Sequence, residues 1–443
     1  MNDLKLALAT PPTPGAPPSA GHAASGKRRG LPSGLRRPEV LLALVIFAGG
    51  CFLRLIKWAA WQKVGFDESF YGHYLHQLAD RGLGGYPDIV DLYKEYQKTL
   101  VGSVLPPTRF LYIFFAYGWY EALGGGWVEC FRAVSRVFAV GTLALSGMFA
   151  WRLLPDRRLA LGAFALMAFS PLQIHLAQHA LADGFFEFWA LGTLWALWEC
   201  LRHPGHRGWL AAYTVGLAAM VMTKENAFFV WVAVLALLAA NRWLRFGVVS
   251  RPLLWMTLVG PLVGVTVLVY LAGGLRELVE VYRLGVPKNL TLPYAIQTGD
   301  GPWHRYLLDL LTVSPLVFLL AAGAAFGLRA TPDAGAPGGR DDRGLLFLLG
   351  FVAASYALMC NVRYGMNLRY ASMWDLPLRA LAVVQVGLLA ARLRPERRAL
   401  ALAVAVAGLC AFDVHQYYRL AVQYPLYELV PADLLQALRI LKL

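Results

Sequence analysis

The chain of 443 residues carries little charge, since only 15% of its residues are Asp, Glu, Lys or Arg. A soluble protein usually has about 25%. Hydrophobic residues make up 58% of the chain, its mean hydropathy is +0.50, and apolar runs long enough to cross a bilayer recur along it. These features exclude a soluble globular enzyme, a disordered chain and a disulfide scaffold. They predict an all-α polytopic membrane protein.

Cysteine is also scarce, with five scattered residues and no CxxC pair. We interpret these cysteines as small residues of an apolar core. Nucleic-acid-binding motifs are missing too, although Lys and Arg exceed Asp and Glu by 14. The basic residues cluster at the ends of apolar runs, which is the pattern of the positive-inside rule. The basic excess is therefore assigned to membrane topology, and no nucleic-acid partner is expected.

The chain divides into a tail, a membrane domain and a second tail. Residues 1–38 are rich in Pro, Gly, Ala and Ser, and they lack the apolar core of a signal peptide. This composition predicts a disordered cytosolic tail. A transmembrane domain is predicted over 39–412, and a short outer-face tail over 413–443. About eleven spanning helices are predicted near 39–60, 133–152, 159–177, 183–200, 209–223, 226–241, 252–273, 307–328, 344–360, 376–391 and 398–412.

One further apolar run, 107–123, decides the topology. It is short, rich in Tyr and Trp, and interrupted by Gly118. If it does not cross and the N-terminus is cytosolic, almost all of the net charge of +14 lies on the cytosolic face. If it crosses, most of the excess moves to the outer face. We therefore predict an interfacial or re-entrant helix inside a long outer loop, 61–132. The loops rich in mixed polar groups then all face outward.

The first polar group on this face is the adjacent pair Asp67 and Glu68. Two carboxylates at a membrane boundary are costly unless they are solvated, paired or bound to a metal ion. One interpretation is a helix start, with Asp67 as N-cap and Glu68 in the first turn. The other is a general base beside a positioning or metal-binding carboxylate.

A second group comprises His175, His179 and Asp183, spaced i, i+4 and i+8. On one continuous helix this spacing would present all three side chains on one face. They are therefore candidate metal ligands. The simpler interpretation is a pair of interfacial histidines followed by a capping Asp at the start of the next helix.

The remaining candidates are cations and their aromatic neighbours. Lys224 lies in a charged break between two apolar runs, either as a snorkelling side chain or aimed at an anionic group. Arginine suits phosphate recognition through its planar fork of donors. The candidate substrate-binding residues are Tyr71, Arg109, Lys224, Arg363, Arg369 and Tyr370.

Carboxylates for proton abstraction, cations for a phosphate and an adjacent bilayer favour a transferase that takes a group from a lipid phosphate. A secondary transporter would predict an internal repeat and charges near the bilayer midplane. We find neither pattern, which favours a transferase over a transporter. A transporter and another lipid-phosphate-dependent transferase stay as alternatives.

Several features together resemble the GT-C superfamily of glycosyltransferases, in particular the group of protein O-mannosyltransferases and lipid A aminoarabinose transferases. The resemblance spans about residues 40–380. It rests on Asp67-Glu68 in the first outer loop, Pro106-Pro107 before the re-entrant helix, Ser170-Pro171 through Asp183, Leu217 to Lys224, and Arg369-Tyr370 with the following Pro377.

The resemblance implies a GT-C-like bundle that uses a polyprenyl-phosphate-linked sugar, inverts the anomeric carbon and acts on the periplasmic face. Asp67 would deprotonate an acceptor hydroxyl, Asp183 would position the acceptor or a metal ion, and Lys224 with Arg369 would bind the donor phosphate. The acceptor would be a lipid, a glycan or a protein. No cofactor is required by the sequence, and a divalent metal ion is left open. The Arg-rich, Ala/Leu/Gly-rich composition favours a bacterial inner membrane.

Overall fold

The computed structural model describes residues 37–58, 64–154, 156–289, 292–328, 342–362, 365–424 and 433–434. The described residues from 43 onward form one compact unit. Over the described ranges the chain folds into eighteen α-helices, with no strand. The predicted all-α class is confirmed.

Helices are numbered in chain order. Their bounds are α1 Arg37–Leu55, α2 Phe66–Arg81, α3 Tyr86–Thr99, α4 Phe110–Leu123, α5 Trp127–Leu153, α6 Arg157–Ala168, α7 Pro171–Gln178, α8 Ala182–Arg202, α9 Arg207–Val221, α10 Ala227–Leu244, α11 Arg251–Leu271, α12 Leu275–Asn289, α13 Pro293–Gly299, α14 Arg305–Val313, α15 Pro315–Gly327, α16 Arg343–Met359, α17 Asp375–Ala390 and α18 Pro395–Tyr417. Short 3-10 helices cover Leu83–Gly85 and Leu368–Trp374, and a π-helical turn covers Tyr418–Gln423.

Six helical segments of the described chain are long and apolar enough to cross a membrane, or seven if one bent pair counts as a single span. The six are Pro38–Leu55, Trp127–Leu153, Ala227–Leu244, Arg251–Leu271, Leu368–Ala390 and Pro395–Gln423. The protein is therefore a multi-pass membrane protein. Each predicted span contains helix, but the predicted number of about eleven spanning helices is not confirmed.

Two predicted spans are broken at a Ser-Pro pair. The segment 159–177 consists of α6 and α7, which are bent by 44° at the break, and Ser170 caps α7 by accepting from the Gln173 backbone N–H. The segment 307–328 consists of α14 and α15, which meet at Ser314 and Pro315. Proline lacks a backbone N–H and begins a helix well, so each pair ends one helix and begins the next.

The segment 61–132, predicted as the outer loop, contains α2, α3 and α4, which share an apolar cluster of buried tyrosines and aliphatic residues. Tyr74 donates its hydroxyl to the Leu105 carbonyl oxygen, and Tyr86 donates to that of Pro107. These bonds fix the chain just before α4. With 14 residues, α4 is about 21 Å long, shorter than the ~30 Å hydrocarbon core. Its interfacial placement stays a prediction.

A buried ionic group joins the later helices. The Arg379 guanidinium on α17 binds Asp375 at 2.6 Å and Asp413 of α18 at 2.7 Å. It also donates to the Ser314 hydroxyl at 3.3 Å, while the Ser170 hydroxyl donates to Asp375 at 2.5 Å. These contacts connect α17 with α18, with the start of α15 and with the start of α7. They fix the helices that pack next to the segment Leu368–Trp374.

The ends of the chain are described only in part. The predicted tail 1–38 lies outside the described residues except for its last two positions. Of the predicted tail 413–443, residues 413–424 continue α18 and its π-helical turn, so the last long helix ends later than predicted. Most of the rest of that tail lies outside the described residues.

Candidate active site

Asp67 and Glu68 occupy the first turn of α2, and their side chains have different environments. Gly65, not Asp67, is the N-cap residue, and its backbone N–H donates to Glu68 at 2.8 Å. The Asp67 side chain is 19% exposed, whereas that of Glu68 is 2% exposed. Adjacent carboxylates are thus separated into one that is reachable and one that is buried.

Glu68 is a fixed anion that ties three parts of the chain together. Arg132 of α5 binds both its oxygens, at 2.9 and 2.7 Å, and the Ala180 backbone N–H donates at 2.7 Å. Burial alone would raise the pKa of Glu68, but the hydrogen bonds from His179, Arg132 and the two backbone amides hold it well below its ordinary value. Glu68 is therefore ionised and fully engaged in holding α2 to α5 and to the α7–α8 connection.

Asp183 lies in the first turn of α8, as the sequence predicts, and is buried. Its Oδ1 accepts a hydrogen bond from the Lys224 ammonium group, and its Oδ2 lies 4.0 Å from Nε of Arg369. A buried carboxylate requires this kind of pairing, because an uncompensated charge in a low dielectric is costly. Asp183 therefore brings Lys224 and Arg369 close together.

Lys224 lies in the turn between α9 and α10, with its side chain 3% exposed. Its Nζ lies 3.8 Å from the centre of the Tyr370 ring, in a cation–π contact. Burial lowers the pKa of Lys224 to about 8, although the Asp183 carboxylate opposes that shift. Lys224 is a desolvated cation whose pKa lies closer to neutral pH than that of an exposed lysine.

Arg369 and Tyr370 come from the 3-10 helix Leu368–Trp374, which Asn367 caps by accepting from the Arg369 backbone N–H at 3.0 Å. The Arg369 guanidinium binds Asp67 at 2.9 Å, and the Tyr370 carbonyl oxygen accepts from the Asn226 amide at 3.3 Å. This short helix thereby connects the start of α2 with the turn before α10.

Arg109 completes the group from the residue before α4. It donates to the Tyr71 hydroxyl at 2.8 Å, and it lies 3.6 Å from the Glu225 carboxylate. The Leu111 backbone N–H donates to the Met222 carbonyl oxygen at 2.9 Å, which ties the start of α4 to the Lys224 turn. Helix α2, the start of α4 and the turn before α10 thus meet at Arg109.

The site therefore consists of three cations and three carboxylates, hereafter the ionic cluster: Arg109, Lys224, Arg369, Asp67, Asp183 and Glu225. Five chain segments supply it, and its formal charges cancel. Asp67 and Glu225 are its more exposed anions, with side chains 19% and 38% exposed. Such a group can offer a carboxylate as proton acceptor and several cations to an anionic ligand.

The predicted metal-ligand stripe does not form on one helix face. Helix α7 ends at Gln178 and α8 begins at Ala182, so Asp183 belongs to a different helix from His175. The His175 and His179 rings are 4.7 Å apart, and His179 lies 3.6 Å from Glu68. Within the described residues, no three side chains of His, Cys, Asp or Glu are grouped closely enough to hold a metal ion.

Most of the predicted site residues converge. Seven of them lie in or beside the ionic cluster: Asp67, Tyr71, Arg109, Asp183, Lys224, Arg369 and Tyr370. Glu68 is next to Asp67 in the chain but is buried against α5, and Arg363 lies outside the described residues. Sequence reasoning missed Arg132, the partner of Glu68. Its signal was an arginine within a long apolar helix, where an unpaired charge is costly. Glu225 was visible only as a neighbour of Lys224.

Comparison with known proteins gives matches of two kinds. Residues 123–276 match the family model of dolichyl-phosphate-mannose-protein mannosyltransferases. The search of curated protein sequences finds no match.

Among solved structures, ArnT from Cupriavidus metallidurans bound to undecaprenyl phosphate is 16% identical, with a TM-score of 0.53 over 89% of this chain and 75% of ArnT. The Archaeoglobus fulgidus oligosaccharyltransferase in its apo form is 12% identical, with a TM-score of 0.55 over 89% of this chain and 55% of the enzyme. The archaeal oligosaccharyltransferase AglB from Archaeoglobus fulgidus, in complex with an inhibitory peptide and a dolichol-phosphate, is 12% identical, with a TM-score of 0.52 over 89% of this chain and 56% of AglB. The chain thus spans little more than half of the archaeal protein. These matches confirm the GT-C-like fold and the predicted resemblance.

Proposed function

We propose that this protein is a membrane glycosyltransferase that moves a sugar from a polyprenyl-phosphate-linked donor to an acceptor hydroxyl, with inversion at the anomeric carbon. The observation that carries the proposal is the ionic cluster, in which a partly exposed carboxylate lies beside three cations. The family match, and a fold shared with proteins solved with undecaprenyl phosphate and dolichol-phosphate, support the class of donor.

Asp67 is the general base in this proposal. Its carboxylate lies in the first turn of α2, and it is more exposed than the carboxylates of Glu68 and Asp183. An acceptor hydroxyl can therefore approach Asp67, and a carboxylate in contact can take its proton as the oxygen attacks. Glu68 is assigned a positioning role, because all its acceptor capacity is used in holding α2 against α5 and α8.

Arg369, Lys224 and Arg109 bind the donor phosphate. Each now faces a carboxylate, so the phosphate would have to compete for these cations with Asp67, Asp183 and Glu225. Guanidinium groups bind phosphate in a bidentate way and ammonium groups bind it as point charges. When the phosphate takes over Arg369, Asp67 loses its ion pair and becomes a stronger base. Donor binding would thus precede activation of the acceptor.

The transfer step then follows from this placement. The acceptor oxygen forms a bond to the anomeric carbon as its proton passes to Asp67. The bond between that carbon and the phosphate oxygen breaks, and the oxygen leaves with the electron pair. The three cations stabilise the negative charge that collects on the phosphate in the transition state. Asp183 keeps Lys224 and Arg369 oriented toward that oxygen.

The site is assigned to the periplasmic or extracellular face of a bacterial inner membrane, with a cytosolic N-terminus. The support is the positive-inside rule, which places the arginine-rich turns on the opposite face. The polyprenyl chain would then lie in the bilayer beside the cluster. A sugar, most simply a hexose or pentose, would lie between Asp67 and the phosphate.

The first test is a comparison of Asp67→Asn with the wild type. The full-length protein is purified with native lipid, and mass spectrometry identifies the lipid that copurifies. We expect a polyprenyl phosphate with the wild type and its sugar conjugate with Asp67→Asn, because the amide cannot take the proton. Sugar transfer should fall about a thousandfold, because the general base is lost.

The matched control is Asp80→Asn, which makes the same chemical change on α2 at a side chain that is 64% exposed and far along the helix. This variant should transfer sugar at the wild-type rate. Normal turnover by Asp67→Asn would remove Asp67 as the base. Copurification of bulk phospholipid alone, with the wild type and with Asp67→Asn, would overturn the proposed donor.

A further inference from the structure

A cavity of about 400 Å³ lies at the other end of α17 from the ionic cluster. Arg369 and Tyr370 lie immediately before α17, whereas the cavity is lined by residues near the end of that helix, among them Val384, Gly387 and Ala391. Leucine side chains from α5, α6, α16 and α18 supply much of the remaining wall. Its polar lining residues are Asp156, Arg158 and Arg398. We call it the α17 cavity.

Two matching turns border the α17 cavity. Residues 152–158 read Arg-Leu-Leu-Pro-Asp-Arg-Arg, and residues 392–398 read Arg-Leu-Arg-Pro-Glu-Arg-Arg. The first joins α5 to α6, and the second joins α17 to α18. The last arginine of each turn lines the cavity. Pro and the acidic residue suit the start of a helix, and the shared order places one guanidinium from each turn at the same cavity.

The guanidinium groups at the cavity are available to a ligand. Over the described part of the chain, the Arg158 guanidinium forms no ion pair, and Asp156 caps α6 by accepting from the Arg158 backbone N–H at 2.8 Å. Arg398 donates its Nε to the Leu393 carbonyl oxygen at 3.1 Å. Both arginines are exposed at the rim of an apolar volume.

We propose that the α17 cavity binds one anionic phospholipid, with an acyl chain against the leucines and the phosphate held by Arg158 and Arg398. An apolar wall with a cationic rim is complementary to a lipid that carries a phosphate and no compensating cation. Arginine recognises the phosphate oxygens through its fork of donors, and basic residues at this face add attraction to an anionic leaflet. The proposal goes beyond sugar transfer and does not depend on it.

The test is native mass spectrometry of the full-length protein in detergent, titrated with phosphatidylglycerol or phosphatidylcholine of the same acyl chains. We expect the wild type to bind one phosphatidylglycerol at least about tenfold more tightly than phosphatidylcholine. Arg158→Gln/Arg398→Gln should lose that preference and keep its weak affinity for phosphatidylcholine. Ala399→Phe, which fills the cavity from its lining, should weaken binding of both lipids.

The matched control is Arg242→Gln/Arg251→Gln. It removes the same charge from exposed arginines at the end of α10 and the start of α11, away from the cavity lining. Full phosphatidylglycerol affinity in this control supports the proposal. An equal loss in the control, equal affinity of the wild type for the two lipids, or retention of the preference by Arg158→Gln/Arg398→Gln would overturn it. Competition by inorganic phosphate without any lipid binding would also overturn it, because the site would then recognise a free anion.

Discussion

Lys224 is the residue through which pH should act on the site. Burial lowers its pKa to about 8, so the ammonium form dominates below pH 8 and the neutral amine above it. A bound phosphate favours the ammonium form, so phosphate affinity is full below pH 8 and declines as pH rises above it. We expect the dissociation constant of undecaprenyl phosphate, measured by tryptophan fluorescence, to increase between pH 7 and pH 9.5.

Lys224→Arg is the control for that titration, because arginine stays protonated over the whole range. Its affinity should vary little between pH 7 and pH 9.5. An unchanged pH dependence in Lys224→Arg would assign the titration to another group.

Asp67 should oppose the binding of a phosphate, because it occupies Arg369 at 2.9 Å. Replacing Asp67 with Asn removes the competing charge and its repulsion of the phosphate. We expect Asp67→Asn to bind undecaprenyl phosphate about fivefold more tightly, which corresponds to about 1 kcal/mol. The same fluorescence titration with Asp80→Asn should reproduce the wild-type constant, and weaker binding by Asp67→Asn would contradict the competition.

The individual site residues could be predicted from the sequence better than their pairing could. Asp67, Asp183, Lys224 and Arg369 each combine polar chemistry with a position at the end of an apolar run, which is a local signal. The contacts of Asp67 with Arg369 and of Glu68 with Arg132 join distant parts of the chain, and periodicity records nothing about such contacts. The burial of Glu68 beside the reachable Asp67 also depends on how α2 packs.

At the scale of helices, the contact between α2 and α5 depends on Glu68 and Arg132. Their side chains are 2% and 7% exposed, and removing one partner leaves the other charge buried. We expect Glu68→Ala to lower the free energy of unfolding by about 3–5 kcal/mol. Thermal unfolding in detergent, with and without added polyprenyl phosphate, measures the change.

Glu129→Ala provides the matched control for Glu68→Ala. Glu129 pairs with the same Arg132 at 3.0 Å, but its side chain is 51% exposed, so its loss should cost less than about 1 kcal/mol. Equal destabilisation by the two substitutions would show that the Arg132 charge, and not the burial of Glu68, determines the stability of this contact.

Helix positions were predictable from apolar periodicity, whereas helix breaks were underestimated. Ser170-Pro171 and Ser314-Pro315 lie inside long apolar runs, so hydropathy alone extends each span across them. Proline geometry explains the breaks once they are seen. The break after Gln178 also separates His175 from Asp183. That break has no proline, and within it the Ala180 backbone N–H binds Glu68 of the remote helix α2, a contact that the local sequence does not reveal.

For the whole molecule, the predicted orientation can be tested by cysteine labelling. In a background with the five native cysteines replaced by alanine, Glu95→Cys on α3 and Glu396→Cys on α18 place thiols at exposed positions. We expect a membrane-impermeant maleimide to label Glu95→Cys on intact cells, and Glu396→Cys only after the cells are permeabilised. The reverse pattern would invert the topology and place the ionic cluster in the cytosol.

The ionic cluster also determines when during synthesis the protein can become active. Its charges come from the segment between α1 and α5, the middle of the chain and the segment just before α17, so the ribosome must pass Arg369 before the set is complete. A chain released before that point keeps two cations against three carboxylates, an unbalanced group at the membrane boundary. Because two long helices, α17 and α18, still follow Arg369, the site can be complete before the bundle is, but not before the segment just ahead of α17 has emerged. Prematurely terminated copies should therefore be degraded and should not compete for the carrier lipid.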